Sequence, residues 1–225
     1  MIKKLFFLAL LFFLPLVAWA SFPTNSVLAS FTCTNSTSQL CPNGNWSSIT
    51  IGFGDTAGIT SNSAYDVTNS NGFLDVWNPT TFSETMEVYV TLSTVASGGV
   101  PDGIGFISGT SGTVNGYLIT ASSSHIYVRK FTGSSLTNLT TFNVTVSNGD
   151  SIGATLASGG TITTYYKSGS GSWVSEGTTT DTTYSPTYLG LVNLDGDSTS
   201  RFTNFGGGNE SSSPSSTKSG FNFGF

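Results

Sequence analysis

Apolar and polar residues alternate with period 2 along most of the chain, and Gly, Asn, Asp and Ser interrupt the alternation every eight to twelve residues. That pattern predicts short half-buried strands joined by tight turns. Strands are expected at Gly72–Asn78, Thr85–Thr94, Ile104–Ser108, Gly116–Ala121, His125–Lys130 and Thr141–Val146. Five more are expected at Ser151–Ala157, Thr161–Lys167, Ser172–Thr179, Tyr188–Val192 and Ser200–Phe205. Asn71-Gly72, Asp102-Gly103, Asn115-Gly116, Asn148-Gly149-Asp150 and Gly159-Gly160 supply the turns between them. No segment after the first 20 residues carries a 3.6-residue apolar period, so the expected class is all-β, as one antiparallel two-sheet sandwich.

The pleat sends alternate side chains to opposite faces. In Thr85–Thr94, Met86, Val88, Val90 and Leu92 form the core set, and Glu87, Tyr89 and Thr91 face outward. In His125–Lys130, Ile126 and Val128 oppose His125, Tyr127 and Arg129. Gly72–Asn78 is ambiguous, because Phe73, Asp75 and Trp77 oppose Leu74 and Val76, and both sets hold apolar residues.

The ends of the chain read differently. Lys3 and Lys4, the apolar run Leu5–Val17 and the small-x-small site Ala18-Trp19-Ala20 predict a signal peptide over residues 1–20, cleaved before Ser21. Residues 21–206 are then a single domain, and no further apolar run reaches membrane-spanning length. Cys33 and Cys41 are the only cysteines; in an oxidising compartment so close a pair forms a disulfide. Residues 207–225 form a Gly/Ser-rich tail that ends in Phe221, Phe223 and Phe225 at alternate positions. Such a segment would suit strand addition to another subunit, and it also resembles the C-terminal signal of outer-membrane barrels.

Composition narrows the function classes. Charged residues are 8% of the 225, aromatics 13%, and Ser and Thr together number 70. After the leader, 5 Lys and Arg stand against 12 Asp and Glu, a net charge of −7. Nucleic acid is not an expected partner of so acidic a surface. Glycoside hydrolysis needs two carboxyl groups about 5–5.5 Å apart for retention. The chain has only Glu84, Glu87, Glu176 and Glu210. Glu84 and Glu87 are three apart, and alternation sends them to opposite faces. A nucleophilic triad would depend on His125, the one histidine, and no nucleophile elbow accompanies it.

The ordered segments Val27–Phe31, Asn45-Trp46, Ile59–Tyr65, Val76-Trp77-Asn78, Glu87–Leu92, Asn115–Leu118, Ala154–Tyr166, Tyr188–Leu191 and Arg201–Gly207 together resemble the concanavalin A-like lectin/glucanase superfamily. Within it the likeness is to the small laminin-G-like jelly-roll domains of secreted bacterial and phage-associated proteins. It spans Val27 to Gly208. The sequence departs from the pattern in the Cys33–Cys41 loop and in having no acid at Ala29 or Ser30. The resemblance implies two curved antiparallel sheets whose concave face or rim often binds sugars. The laminarinase-type E-x-D-x-x-E motif is absent.

A sugar site needs an aromatic ring against the apolar face of a pyranose, with polar groups around it. Trp77, Tyr89, Tyr117 and Tyr127 are the candidate rings, with Asp75, Glu87 and Arg129 as polar partners. The competing reading of the same aromatics is cross-strand packing. Asp195-Gly196-Asp197-Ser198-Thr199 has the oxygen-rich composition of a calcium loop, with Asp195 and Asp197 as ligands, but it lacks a third acid and a distal Glu, and an Asp-Gly turn between strands is the favoured reading. No other cofactor is expected. The expected function is a secreted, non-catalytic carbohydrate- or cell-surface-binding module. The alternatives are a structural or appendage subunit that homo-oligomerises through sheet edges and its Phe tail, and a degenerate glycoside hydrolase.

Overall fold

The computed structural model describes residues 21–50, 52–68, 70–83, 85–95, 101–194, 196 and 198–210. The leader, Glu84, Asp195, Asp197 and the tail Phe221, Phe223 and Phe225 lie outside the described residues. Fifteen strands are described: β1 (Val27–Ala29), β2 (Trp46–Ser48), β3 (Ala57–Thr60), β4 (Ser63–Asp66), β5 (Phe73–Trp77), β6 (Met86–Thr94), β7 (Asp102–Ile107), β8 (Asn115–Ala121), β9 (His125–Thr132), β10 (Ser135–Asn143), β11 (Asp150–Ala157), β12 (Thr161–Lys167), β13 (Val174–Thr180), β14 (Tyr188–Asn193) and β15 (Arg201–Asn209). They form two antiparallel sheets. The first runs β13-β12-β11-β6-β15-β4-β3, with β1 also on β15, and the second runs β10-β9-β8-β7-β14-β5-β2.

The main core lies between the sheets. Met86, Val88, Val90 and Leu92 of β6 meet Ile104 and Phe106 of β7, Ile119 of β8, and Ile126 and Val128 of β9. This is the parity expected for β6 and β9. The ambiguous β5 is resolved by a second apolar cluster on the far side of the second sheet. There Leu74 and Val76 join Ile107, Leu118, Phe131 and Val192 beneath Ile49 and Phe53. Phe73 and Trp77 belong to the main core. Both faces of β5 are therefore covered, which is why its alternation is apolar on apolar.

The expected turns Asp102-Gly103 and Asn115-Gly116 lie inside β7 and β8, β1 and β2 add to the expected strands, and three further segments depart from expectation. The β3–β4 hairpin turns through Ser61 and Asn62, both at positive φ (48° and 61°), which matches the twist of a two-residue hairpin. The strand expected at Thr141–Val146 is instead β10, Ser135–Asn143, an edge strand whose Thr and Asn residues hide the alternation. The last strand continues through Gly206, Gly207 and Gly208 to Asn209, three residues into the segment read as tail. The glycines allow close approach there. A Cβ at Gly206 would enter the Tyr89 ring, and one at Gly208 would enter the Asn25 side chain.

Cys33 and Cys41 are disulfide-bonded, with 6.6 Å between their Cα atoms. The pair closes the loop that packs on Trp46, whose Nε1 donates to the Cys41 carbonyl (3.3 Å). Trp46 in turn packs edge-on against Trp77, centroids 5.3 Å apart, and against Phe205 at 5.0 Å.

Candidate functional site

The outer face of the second sheet is divided. Its β5–β14–β7 half, with Leu118 of β8 and Phe131 of β9, carries the second apolar cluster beneath Ile49 and Phe53. Glycine makes that roofing possible. A Cβ at Gly105 would lie 2.8 Å from side-chain atoms of Ile107 and Leu118, and one at Gly190 would lie 2.9 Å from Ile107. Beyond that cluster β8 remains buried, and the exposed side chains of this face lie on β9 and β10. Because Ile126 and Val128 point inward, His125, Tyr127 and Arg129 project together on this exposed part. The Arg129 guanidinium carbon lies 4.3 Å from the Tyr127 ring centre, and the His125 ring lies 5.7 Å from Tyr127 on its other side. The three side chains form a row along β9.

The register places hydroxyl and amide groups around that row. Tyr127 stands opposite Thr120 on β8 and Thr141 on β10, and Arg129 stands opposite Leu118 and Asn138. Arg129 Nη1 donates to Thr120 Oγ1 (3.3 Å), and Ser124 Oγ meets His125 Nδ1 at 2.7 Å. Burial lowers the Arg129 pKa, and the neighbouring Tyr127 opposes that shift. Among the described residues the one ion pair is Lys130–Asp181 (2.9 Å). Arg129 thus holds a half-buried positive charge with no carboxylate against it.

The other candidate residues are not gathered here. Trp77, 6% exposed, lies in the main core against Trp46, so its faces are closed to a sugar. Asp75, on the same side of β5, is 3% exposed and accepts from Ser48 Oγ. Burial pushes its carboxyl up to about 6, against the Ser48 bond. It cannot serve as a surface acceptor. The cause in both cases is the double covering of β5, which turned the Phe73-Asp75-Trp77 set inward.

Glu87 and Tyr89 do face away from the core, but on the first sheet, across the sandwich from Tyr127. They are also buried, Glu87 completely and Tyr89 to 8% exposure. Residues 22–25 lie over them as an arm. The Thr24 backbone N donates to both Glu87 carboxylate oxygens (2.8 and 3.0 Å), and the Asn25 N and Nδ2 and Thr24 Oγ1 donate to the same carboxylate. Phe22 stacks flat on Tyr165, centroids 4.1 Å apart and planes 2° apart, with Trp173 edge-on at 4.9 Å. Gly153 lies beneath, where a Cβ would enter the Phe22 ring. The outward parity was legible in the sequence, and the covering was not. The only available signal was an aromatic residue, Phe22, one position past the expected cleavage site. Tyr165 and Trp173 were not among the candidates.

Tyr117 is also internal, donating to the Asp181 carboxylate at 2.9 Å while the Tyr184 N donates to it at 3.0 Å. The calcium candidates Asp195 and Asp197 lie outside the described residues. The loop that carries them is tied to Asp102, which accepts from Leu194 N (3.2 Å) and Ser200 Oγ, and Asn193 accepts from Gly196 N (2.8 Å). Among the described residues no three His, Cys, Asp or Glu side chains converge to hold a metal.

No family model matches the sequence, and no curated protein matches it. Solved structures do resemble the fold. The carbohydrate-binding module CBM66 from Bacillus subtilis superimposes with a TM-score of 0.55 at 15% identity, over 72% of this chain and 93% of that one. The exoplasmic/lumenal domain of VIP36 in its Ca2+-bound form gives 0.55 at 14% identity, over 82% and 89%. The carbohydrate recognition domain of Emp46p gives 0.55 at 12% identity, over 82% and 96%. At these identities the likeness is one of architecture: the chain is an antiparallel two-sheet jelly-roll β-sandwich.

Proposed function

We propose that this protein is a secreted, non-catalytic carbohydrate-binding module, and that the exposed β9–β10 part of the second sheet's outer face is its contact surface for a saccharide bearing carboxylate groups. One observation carries the reading. Arg129 is partly desolvated, lies over Tyr127, and is ion-paired with no acid among the described residues, so its donors other than the one on Thr120 are left for an anionic ligand. Thr141, Asn138 and His125 supply donors and acceptors for hydroxyls around it, while the buried Thr120 orients Arg129 from beneath. The architecture it shares with CBM66 and with the VIP36 and Emp46p domains supports a glycan as the ligand class. The Cys33–Cys41 disulfide supports an oxidising, extracellular or lumenal compartment. A catalytic reading finds less support, since the Glu87 carboxylate is fully engaged by the arm.

A glycan array tests this directly, run on the unaltered chain and on Arg129→Gln. Binding should favour uronate-containing glycans, weaken with added salt, and be lost in Arg129→Gln. Binding confined to neutral glycans, or untouched by Arg129→Gln, would remove Arg129 from the reading. A second reading, an assembling structural subunit, draws on Val174 and Leu136, which are 56% and 44% exposed on the edge strands β13 and β10. Concentration-dependent mass in light scattering would favour it.

A further inference from the structure

The arm leaves an open cavity of about 320 Å³ beside it, lined by Ser21, Phe22, Tyr165, Ser172 and Trp173. Three of these five side chains are aromatic, and the cavity lies at the β12–β13 margin of the first sheet's outer face. The last described residue leaves the sandwich close to the same face. Asn209 pairs with Met86 and Glu210 N donates to the Thr85 carbonyl (3.0 Å), while the Asn209 carbonyl accepts from Asn25 Nδ2 of the arm (2.7 Å). Burial raises the Tyr165 hydroxyl's pKa, and the Glu210 and Glu87 charges add to the shift, which places Glu210 within electrostatic reach of the cavity wall.

We propose that this cavity receives a phenylalanine of the chain's own C-terminal segment, Phe221, Phe223 or Phe225. The reach agrees. Tyr165 is three strands across from β15; it pairs with Gly153, which pairs with Tyr89, four residues along from Thr85. At ~4.8 Å between strands and ~3.3 Å per residue the span is roughly 20 Å. The ten residues 211–220 are Ser, Thr, Pro, Lys and Gly. A Gly/Ser-type segment of ten residues has a root-mean-square reach of about 16–19 Å. A tether matched to its span presents the ring at an effective concentration in the millimolar range, so a weak aromatic pocket fills without a second molecule. The chemistry also agrees. The neighbouring ring position is already held by a phenylalanine of the arm, Phe22, stacked on Tyr165.

The test uses acrylamide quenching of tryptophan fluorescence in chains starting at Ser21. Residues 21–210 contain every described strand of the sandwich, so a chain ending at Glu210 is expected to keep the fold. Trp77 is buried, and Trp46 and Trp173 are both partly exposed, so a Trp173→Phe background separates the signal of Trp173 from that of Trp46. Quenching should rise about twofold when the tail is removed or when Phe221, Phe223 and Phe225 are all changed to Ser, as expected for release of a tethered group. The rise should vanish in a Trp173→Phe background. Equal quenching with and without the tail overturns the proposal, and so does a difference that survives Trp173→Phe. Shielding that appears only as concentration and mass increase together would assign the occupant to a second copy and overturn docking within one chain.

Discussion

Replacing Glu87 with glutamine tests whether the arm is held by a carboxylate. The side chain keeps its size, but one oxygen that accepts becomes an NH2 group that donates. Four donor groups converge on the carboxylate in the native chain: the Thr24 N and Oγ1 and the Asn25 N and Nδ2. Hydrogen bonds to a charged group contribute about 1.5–3 kcal/mol each, and glutamine satisfies roughly half of these donors. Releasing the arm also exposes Phe22, whose burial and stacking are worth about 2–3 kcal/mol. Once the arm is off, its amides recover water, so the loss is capped by the docking energy. The expected destabilisation is about 2–4 kcal/mol by urea titration, with amide exchange at Thr24 and Asn25 becoming fast while β6 and β11 stay protected. The companion variant Phe22→Ala should expose the same amides. A change under about 0.5 kcal/mol with both amides still protected would refute the reasoning, because four donors on one buried carboxylate cannot be lost so cheaply.

Other outcomes follow from named residues. Asp75 has a raised folded-state pKa of about 6 against an ordinary value near 3.9. Its contribution to stability is therefore greatest at low pH, falls between about pH 4 and pH 6, and is a constant penalty above. Asp75→Asn should stabilise the protein at pH 7 by about 1–3 kcal/mol and flatten that part of the pH profile; a loss of stability at pH 7 would contradict it. Asp55 and Asp181 behave oppositely. Burial opposes their ionisation, but hydrogen bonds from Ser70, Asn71 and Thr183, and Lys130 at Asp181, outweigh it and hold both below the usual carboxylate range. Their stabilisation is complete above about pH 4 and fades as the pH falls below it, so acid melts of Asp55→Asn should start from a lower plateau. Reducing Cys33–Cys41 should cost roughly 2–3 kcal/mol, because it opens a short loop without touching the sheets, read as a shift in the urea midpoint with unchanged slope. Gly206→Val should unfold β15 locally, since its side chain would occupy the space of the Tyr89 ring, and a near-native melt would show that the ring can move aside.

Period-2 alternation carries most of this fold, and it fails where local covering decides. In β6 and β9 one face is apolar and the other polar, so both the strand and its parity were legible. In β5 each face meets a hydrophobic cluster, and nothing in Phe73–Trp77 says which of Asp75 and Val76 lies between the sheets. Glu87 marks the limit for site prediction. Its outward parity was right, yet its burial is set by residues 22–25, more than sixty positions away. The outward projection of Tyr127 and Arg129 was readable because Ile126 and Val128 alternate with them into the core. Trp77 failed as a sugar platform because tryptophan serves a core as well as a surface.

The most direct measurement is amide chemical-shift mapping of the chain with an acidic oligosaccharide that it retains on the array. The account predicts saturable shifts clustered at Thr120, Tyr127, Arg129, Asn138 and Thr141, absent in Arg129→Gln at the same saccharide concentration. No saturable shifts with any acidic glycan, or shifts clustered elsewhere on the sandwich with β8–β10 unmoved, would contradict it.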